Sequence, residues 1–471
     1  MSDDIQATSE PQTGELVLEG RYRILPQSAL PELDLADVRA VVARDDVNPG
    51  DNLFARICAP DLLPRIGIMS HLQQLREVSI LRPIKWGAID WPGAHRQCLA
   101  VIFPRPAHGT LMTSYLAKIK PINSEDITRR ILGPIVLALA YFNQRGLTHR
   151  GIRPENIFWE GEGQSSVMLG DCVTGPPSIH QPIIFETIES AMTPPKARGP
   201  GTIEDDFYAL GVTLLLISMG TSEAVHLKDP DIISAKLVKG SYAALMGGQR
   251  PPFGLREILR GLLSYDPDER WGLEEMEQWL GGSLRSSVQE VREKPADRPF
   301  SFCGADYGNC RALAHAFGQR WEDADNVVQT AAFDKWLRRG ASDESLADIV
   351  ADAVQANSDL GNKGSVSPRL VARICLILDN IGPLRFKGLI AMPAGLGPML
   401  ADAYHREDNA TIQVVSEALS KGAAFDWFAG QSARVKFLLD GCVNEIKQMQ
   451  QLLRHTGPGY GVERCLYMMN P

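Results

Sequence analysis

The chain has 471 residues, 44% of them hydrophobic and 22% charged, and a formal net charge of −9. These values suit a globular protein of several domains with sizeable cores. The acidic balance, with no Lys/Arg run, argues against a nucleic-acid binder, which needs a basic footprint. The eight cysteines include no Cys-x-x-Cys pair and no Cys/His cluster at zinc spacing, so they read as small buried thiols in a reducing compartment.

Residues 1–18 are polar and acidic, unlike a signal peptide, and a disordered N-terminus is expected there. The most apolar stretch, Ala209 to Met219, is about half the length that crosses a bilayer, so a cytoplasmic protein without a transmembrane segment is expected. Tyr22 to Leu25, Val38 to Arg44 and Leu53 to Cys58 are β-rich runs. Asn48-Pro49-Gly50 marks a turn between the last two, which predicts a hairpin. Leu63 to Leu81 reads as helix, and Cys98 to Phe103 as a buried strand. Asp126 to Arg145 predicts a strong helix, with Ile127, Ile131, Ile135, Leu139 and Phe142 on one stripe. Asp206 to Ser218 and Leu255 to Leu263 are helical as well. Strands followed by helices imply an α+β arrangement with a β-rich lobe and a helical lobe. Residues 282–298 are polar and read as a linker.

Residues 299–471 read as a helical domain with no fixed-period repeat, an all-α appendage. Leu313, Phe317, Trp321, Ala324 and Val328 recur three or four apart. Most of the aromatics Trp321, Phe333, Trp336, Phe425, Trp427 and Phe428 fit a core at this spacing, while the dense Phe425-Asp426-Trp427-Phe428 run is also a candidate anchor for a protein partner. Gly457 to Gly461 is a turn-rich tail segment, suited either to docking or to disorder.

The segment Leu147-Thr148-His149-Arg150-Gly151-Ile152-Arg153-Pro154-Glu155-Asn156-Ile157-Phe158 resembles the protein-kinase catalytic loop, His-Arg-Asp-x-x-x-x-Asn. His149, Arg150, Pro154 and Asn156 fall at matching positions, and Gly151 stands where the base is expected. Leu169-Gly170-Asp171-Cys172-Val173 resembles the metal-binding Asp-Phe-Gly segment, with Asp171 matching. Thr193-Pro194-Pro195 stands for Ala-Pro-Glu at the end of the activation loop. Asp206 sits at the acidic position opening a central buried helix. Arg270, in Asp266-Pro267-Asp268-Glu269-Arg270, matches a late arginine whose usual glutamate partner Pro195 would remove. Gly20-Arg-Tyr-Arg-Ile-Leu and Tyr208-Ala-Leu-Gly-Val are similar in wording to bacterial Ser/Thr kinases. The resemblance covers residues 19–281 and implies a bilobal protein-kinase-like fold.

Phosphoryl transfer needs charge neutralisation and positioning, and this sequence departs from the family at the parts that supply them. No glycine lies between Gly20 and Gly50, and residues 26–37 offer Glu32, Asp34 and Asp37 where a glycine-rich loop would cover phosphates. Phe54-Ala55-Arg56-Ile57 aligns with Val-Ala-Ile-Lys so that Ile57 takes the lysine position. Arg56 takes it only if the strand's faces are reversed. Glu77 is a weak candidate for the lysine's glutamate partner. Gly151 accepts no proton. His149 is expected to pack in the core, Arg150 to form an internal ion pair, and Arg153 to stand where Ser/Thr kinases carry lysine.

The resulting expectation is a catalytically inactive pseudokinase that acts as a protein-binding scaffold or regulator, with protein partners engaged through the helical C-terminal domain and oligomerisation left open. No cofactor is expected. Asn156 and Asp171, with Arg56, are what remains of a metal and nucleotide site, fit at most for weak binding of ATP with Mg²⁺. A nucleotide-binding switch and an unconventional transferase of groups such as AMP are the alternatives.

Overall fold

A computed structural model describes residues 14–75, 79–92, 94, 97–283, 295–359, 367–432, 436, 440–454 and 461–462. They fall into two compact units, one from the chain up to Thr110 together with Asn156–Pro176, the other from Leu111–Glu155 and Pro177 onward. The expected linker lies largely outside the described residues, as do Glu77 and most of the Gly457–Gly461 tail.

The first unit is built on a six-stranded antiparallel sheet, in the order β1 (Leu16–Leu18), β2 (Tyr22–Ala29), β3 (Val38–Asp45), β4 (Leu53–Cys58), β6 (Cys98–Pro104), β5 (Lys85–Ile89). Disorder was expected through residue 18, but Leu16 pairs with Ile24 and Leu18 with Tyr22. Leu18 is drawn in because it fills the space over Gly87 of β5, where an added Cβ would lie 2.8 Å from Leu18 Cδ1. The sheet therefore curls towards closure. Leu53, Ala55 and Ile57 of β4 enter a core with Tyr22, Ile24, Val41, Ala100 and Ile102. The expected helix over 63–81 is the shorter α1 (Ile66–Gln73). Beyond it, Ile80 bridges to Leu169 and the Leu81 amide donates to the Leu169 carbonyl at 2.7 Å. Strand pairing thus wins over local helix pattern. The hairpin of β7 (Ile157–Glu160) and β8 (Ser166–Leu169) completes the unit.

The second unit is helical. α2 (Gly133–Asn143) is entered through a wide turn over Ile127–Leu132. α3 (Ile203–Met219) starts at a capping box of Thr202 and Asp205, is buried almost all round, and stops at Gly220, whose φ of 79° favours glycine. α4 (Asp229–Lys239), α5 (Arg256–Leu262) and α6 (Leu273–Leu280) follow. The C-terminal helices are α7 (Cys310–Gln319), α8 (Trp321–Val328), α9 (Ala331–Arg339), α10 (Glu344–Asp359), α11 (Pro368–Leu378), α12 (Leu396–His405), α13 (Asn409–Ser420), α14 (Ala423–Ala429) and α15 (Asp440–Arg454). Two short hairpins sit among them, Phe300–Phe302 with Ala305–Tyr307 and Leu384–Phe386 with Leu389–Ala391. Each turns through a residue and a glycine at positive φ, Cys303-Gly304 and Lys387-Gly388, the conformation of a two-residue hairpin loop. Trp336, Trp427 and Phe428 are buried, and the Trp427 indole donates to the Gly382 carbonyl at 2.6 Å. Most of the Phe425–Phe428 run is therefore core. No helix among the described residues is long and apolar enough to cross a membrane.

Candidate functional site

In the first unit the alternation of β4 decides what its arginine meets. Ala55 and Ile57 face the barrel core, so Phe54 and Arg56 share the opposite face, where the Arg56 guanidinium lies 5.7 Å from the Phe54 ring centroid. Arg56, not Ile57, is therefore the β4 side chain that reaches Asp171. Arg56 Nη1 is 2.7 Å from Asp171 Oδ2, with both side chains almost wholly buried. Its Nε and Nη2 donate to the Leu33 carbonyl at 3.2 and 2.9 Å. Leu33 ends a single turn, Pro31–Leu33, in the segment that stands for the glycine-rich loop. Asp34 of that segment accepts from the Ala40 amide at 2.6 Å, and Glu32 pairs with Arg105 at 3.0 Å. Phe54 stacks on Phe103, with centroids 5.5 Å apart.

Asp171 is occupied on both oxygens. Oδ1 accepts from the amides of Val173 and Thr174 at 2.8 and 3.3 Å, while Oδ2 accepts from the Thr174 hydroxyl and faces Arg56. Burial pushes its pKa up, but the charge of Arg56 and the hydrogen bonds of Thr174 and Val173 outweigh burial and hold it below the usual carboxylate value. Asn156 donates from Nδ2 to the Asp171 carbonyl at 2.8 Å and accepts at Oδ1 from the Asp171 amide at 3.1 Å. Both expected ligands thus brace the chain between β8 and Thr174. Among the described residues no group of three or more His, Cys, Asp or Glu side chains could hold a metal ion. As arranged, Asn156 and Asp171 do not fit Mg²⁺, because their side-chain oxygens already face N–H and O–H donors of the protein itself.

In the second unit the catalytic-loop segment is anchored on α3. Asp206 accepts from the amides of His149 and Arg150, both at 2.7 Å, and these bonds hold Arg150 at a φ of 57°, a left-handed conformation that costs roughly 1 kcal/mol in a non-glycine residue. Burial pushes Asp206 up to about 6 against the opposing charge of Arg150. His149 is buried edge-on to Phe142, at 5.8 Å. Gly151, which follows Arg150, carries no side chain. Arg153 donates to Gln181 at 3.3 Å, and Gln181 donates to the Ile152 carbonyl at 2.8 Å.

Arg150 points to a hub the sequence reading did not find. Its Nη2 pairs with Glu186 Oε2 at 2.8 Å, and its Nη1 is 3.4 Å from Asp205. Ser190 donates to Glu186 Oε2 at 2.7 Å, the Ser178 hydroxyl donates to Oε1, and Arg198 Nη1 is 3.4 Å from Oε1. Burial raises the pKa of Glu186, but Arg150, Arg198 and the two serine hydroxyls bring it below normal. Lys236 of α4 donates to the carbonyls of Glu186, Ile184 and Ile183 at 2.6, 3.0 and 3.2 Å. Burial pushes the Lys236 ammonium down to about 7. Arg270 finds its carboxylate in Glu189, at 2.8 Å. The motif expected at Thr193-Pro194-Pro195 is therefore displaced: the glutamate that serves Arg270 stands six residues before Pro195. The legible signal was the pair Glu186 and Glu189 in the mostly apolar run Pro182 to Met192. Nothing in the pattern of α4 marked Lys236.

Sequence comparison gives the chain a distant relationship to the protein-kinase-like superfamily. A serine/threonine-protein kinase of Arabidopsis thaliana, AtPK1/AtPK6, is 29% identical over 189 residues, covering 37% of this chain and 38% of the kinase. Serine/threonine-protein kinase D of Synechocystis is 29% identical over 109 residues, covering 21% of each chain, and serine/threonine-protein kinase pim-2 of Danio rerio is 24% identical over 222 residues, covering 45% of this chain and 66% of the kinase. The chain thus spans less than two thirds of the length of these relatives. The crystal structure of Rad53 in complex with AMP-PNP aligns over 53% of this chain and 63% of that one, with a TM-score of 0.39 and 17% identity. No family model matches the chain.

Proposed function

We propose that this protein is a pseudokinase: a kinase-like fold that transfers no phosphate and serves as a protein-binding scaffold or regulator. The observation that carries the reading is the clasp of Arg56, Asp171 and Leu33. Phosphoryl transfer depends on a mobile cation at the phosphates and a carboxylate free to bind metal. Here the cation and the carboxylate neutralise each other inside the β-rich unit, and the loop before β3 closes on the guanidinium through Leu33. The absence of a proton acceptor at Gly151 and the engagement of Asn156 with the backbone of Asp171 support the same reading. Transfer of another group such as AMP would need basic side chains turned to phosphates, and the two candidates, Arg56 and Arg153, are bonded to Asp171, Leu33 and Gln181.

The test is thermal denaturation of the full chain with millimolar ATP, with and without Mg²⁺, beside incubation with ATP labelled at the α- or the γ-phosphate. The expected result is an unchanged midpoint and no transfer of either label. Binding at a hundredfold excess over Kd would add about 2.7 kcal/mol and a clear upward shift. Such a shift would turn the reading towards a nucleotide switch, and transfer of label would refute it.

A further inference from the structure

The segment from Glu186 to Thr202 is held from one side by the Glu186 hub and from the other by the C-terminal helices. Ala197 is fully buried in the same apolar core as Leu396, Leu400, Val415 and Trp427. Its carbonyl accepts from the Met392 amide at 3.0 Å. Two glycines make this approach possible: a Cβ on Gly395 would stand 2.0 Å from the Ala197 carbonyl oxygen, and one on Gly199 would stand 2.5 Å from the Ala394 backbone. Lys196 Nζ is 2.7 Å from Asp402 of α12. Arg385 reaches the Met192 sulfur at 3.4 Å while pairing with the buried Asp379, which also binds Arg311. Arg311 lies 4.5 Å from the Tyr265 ring, and Asn309, which caps α7, donates to the Leu237 carbonyl at the end of α4.

We infer that the C-terminal helices are a permanent internal partner of the kinase-like helical lobe, a clamp that fixes the 192–202 segment in one conformation and withholds it, with the adjoining end of α4, from other proteins. Ala197 is a core residue of the C-terminal helices, though it lies nearly two hundred positions before α12. Detaching the helices would expose that core and take Met192 from Arg385 and the Tyr265 ring from Arg311, so the segment and the helices open only together. This inference stands on the seam alone and holds whether or not nucleotide binds.

Two measurements on the full chain test it. A carbodiimide, which joins an amine to a carboxylate only in direct contact, should link Lys196 to Asp402 in the monomer fraction, alongside a control link between Lys387 and Glu417, 2.6 Å apart. Hydrogen exchange should find the amides of 192–202 as protected as those of α11. Gly395→Val should then raise exchange in 192–202 and in α12 together, by at least about tenfold, while β4 keeps its protection. The inference is overturned by a Lys387–Glu417 link without a Lys196–Asp402 link, by exchange of 192–202 at the rate of an exposed loop, or by loosening of α12 alone in the variant. Should the variant fail to fold, the link and the exchange pattern in the natural chain decide.

Discussion

Replacing Arg56 with methionine keeps most of its apolar bulk and leaves the Asp171 carboxylate buried without its cation. Breaking a buried ion pair from one side costs about 3–5 kcal/mol, because the remaining charge keeps its desolvation penalty. The value expected here is near the lower bound, since Asp171 keeps the Thr174 hydroxyl and two backbone amides as donors. Asp171→Asn strands the guanidinium, whose remaining hydrogen-bond acceptor among the described residues is the Leu33 carbonyl, and a similar loss is expected. The double variant removes both charges, so it should be more stable than the sum of the single losses predicts, with a coupling of roughly 2 kcal/mol. Chemical denaturation read through exchange of the β4 amides gives all three values for the β-rich unit. Additive effects, or single losses within about 0.5 kcal/mol of zero, the size of an ordinary surface substitution, would refute the claim that cation and carboxylate are committed to each other. Gain of ATP binding by Arg56→Lys would refute it as well, since exchange of one cation for another would then have reopened the site.

Glu186→Gln should destabilise the helical unit by about 3 kcal/mol, because Arg150 and Arg198 keep buried charges that lose their shared carboxylate; denaturation of the variant checks this. Gly151→Asp restores a carboxylate to the loop but leaves Asn156 and Asp171 as they are, so no transfer of γ-phosphate is expected, and measurable phosphorylation by this variant would overturn the pseudokinase reading. His315, pushed down to about 4 by burial and by the charge of Arg385, gives an acid response. The unfolded chain takes up that proton at about 6.5 and the native chain only at about 4, so protonation favours unfolding and stability falls as pH drops across this window. The loss expected for this partly exposed ring is about 1–2 kcal/mol. Asp206, raised to about 6 by burial, titrates with the opposite sign over much of the same range. The readout is therefore the difference between the natural chain and His315→Leu, in which the acid slope should shrink while stability at pH 7.5 changes little.

Periodicity and turn chemistry carried most of the architecture. The strands 38–44, 53–58 and 98–103 were legible as short apolar, β-branched runs bounded by turn residues or prolines, and the helices on the Ile127–Phe142 stripe and at 206–218 by their apolar content and spacing. Leu16–Leu18 and Lys85–Ile89 were not, because each is short and owes its conformation to the strand beside it. At the candidate site, His149, Arg150, Asn156, Asp171 and Asp206 could be read from their spacing. The orientation of Arg56 could not, because β4 is buried on both faces and gives no polar side from which to set the alternation. Glu189 was missed because it stands six residues before the position at which the motif's wording leads one to look for the glutamate.

The Glu186 hub has a consequence in time. A phosphate ester that gathers arginines can be added to a hydroxyl and hydrolysed off again, so the structure it orders has a history. The carboxylate of Glu186 is joined through carbon–carbon bonds and arrives with translation. Arg150 and Arg198 therefore find their counter-ion as soon as the chain folds and keep it until the chain is degraded. In this protein the negative charge that orders the 186–202 segment is written into the sequence and needs no modification to appear.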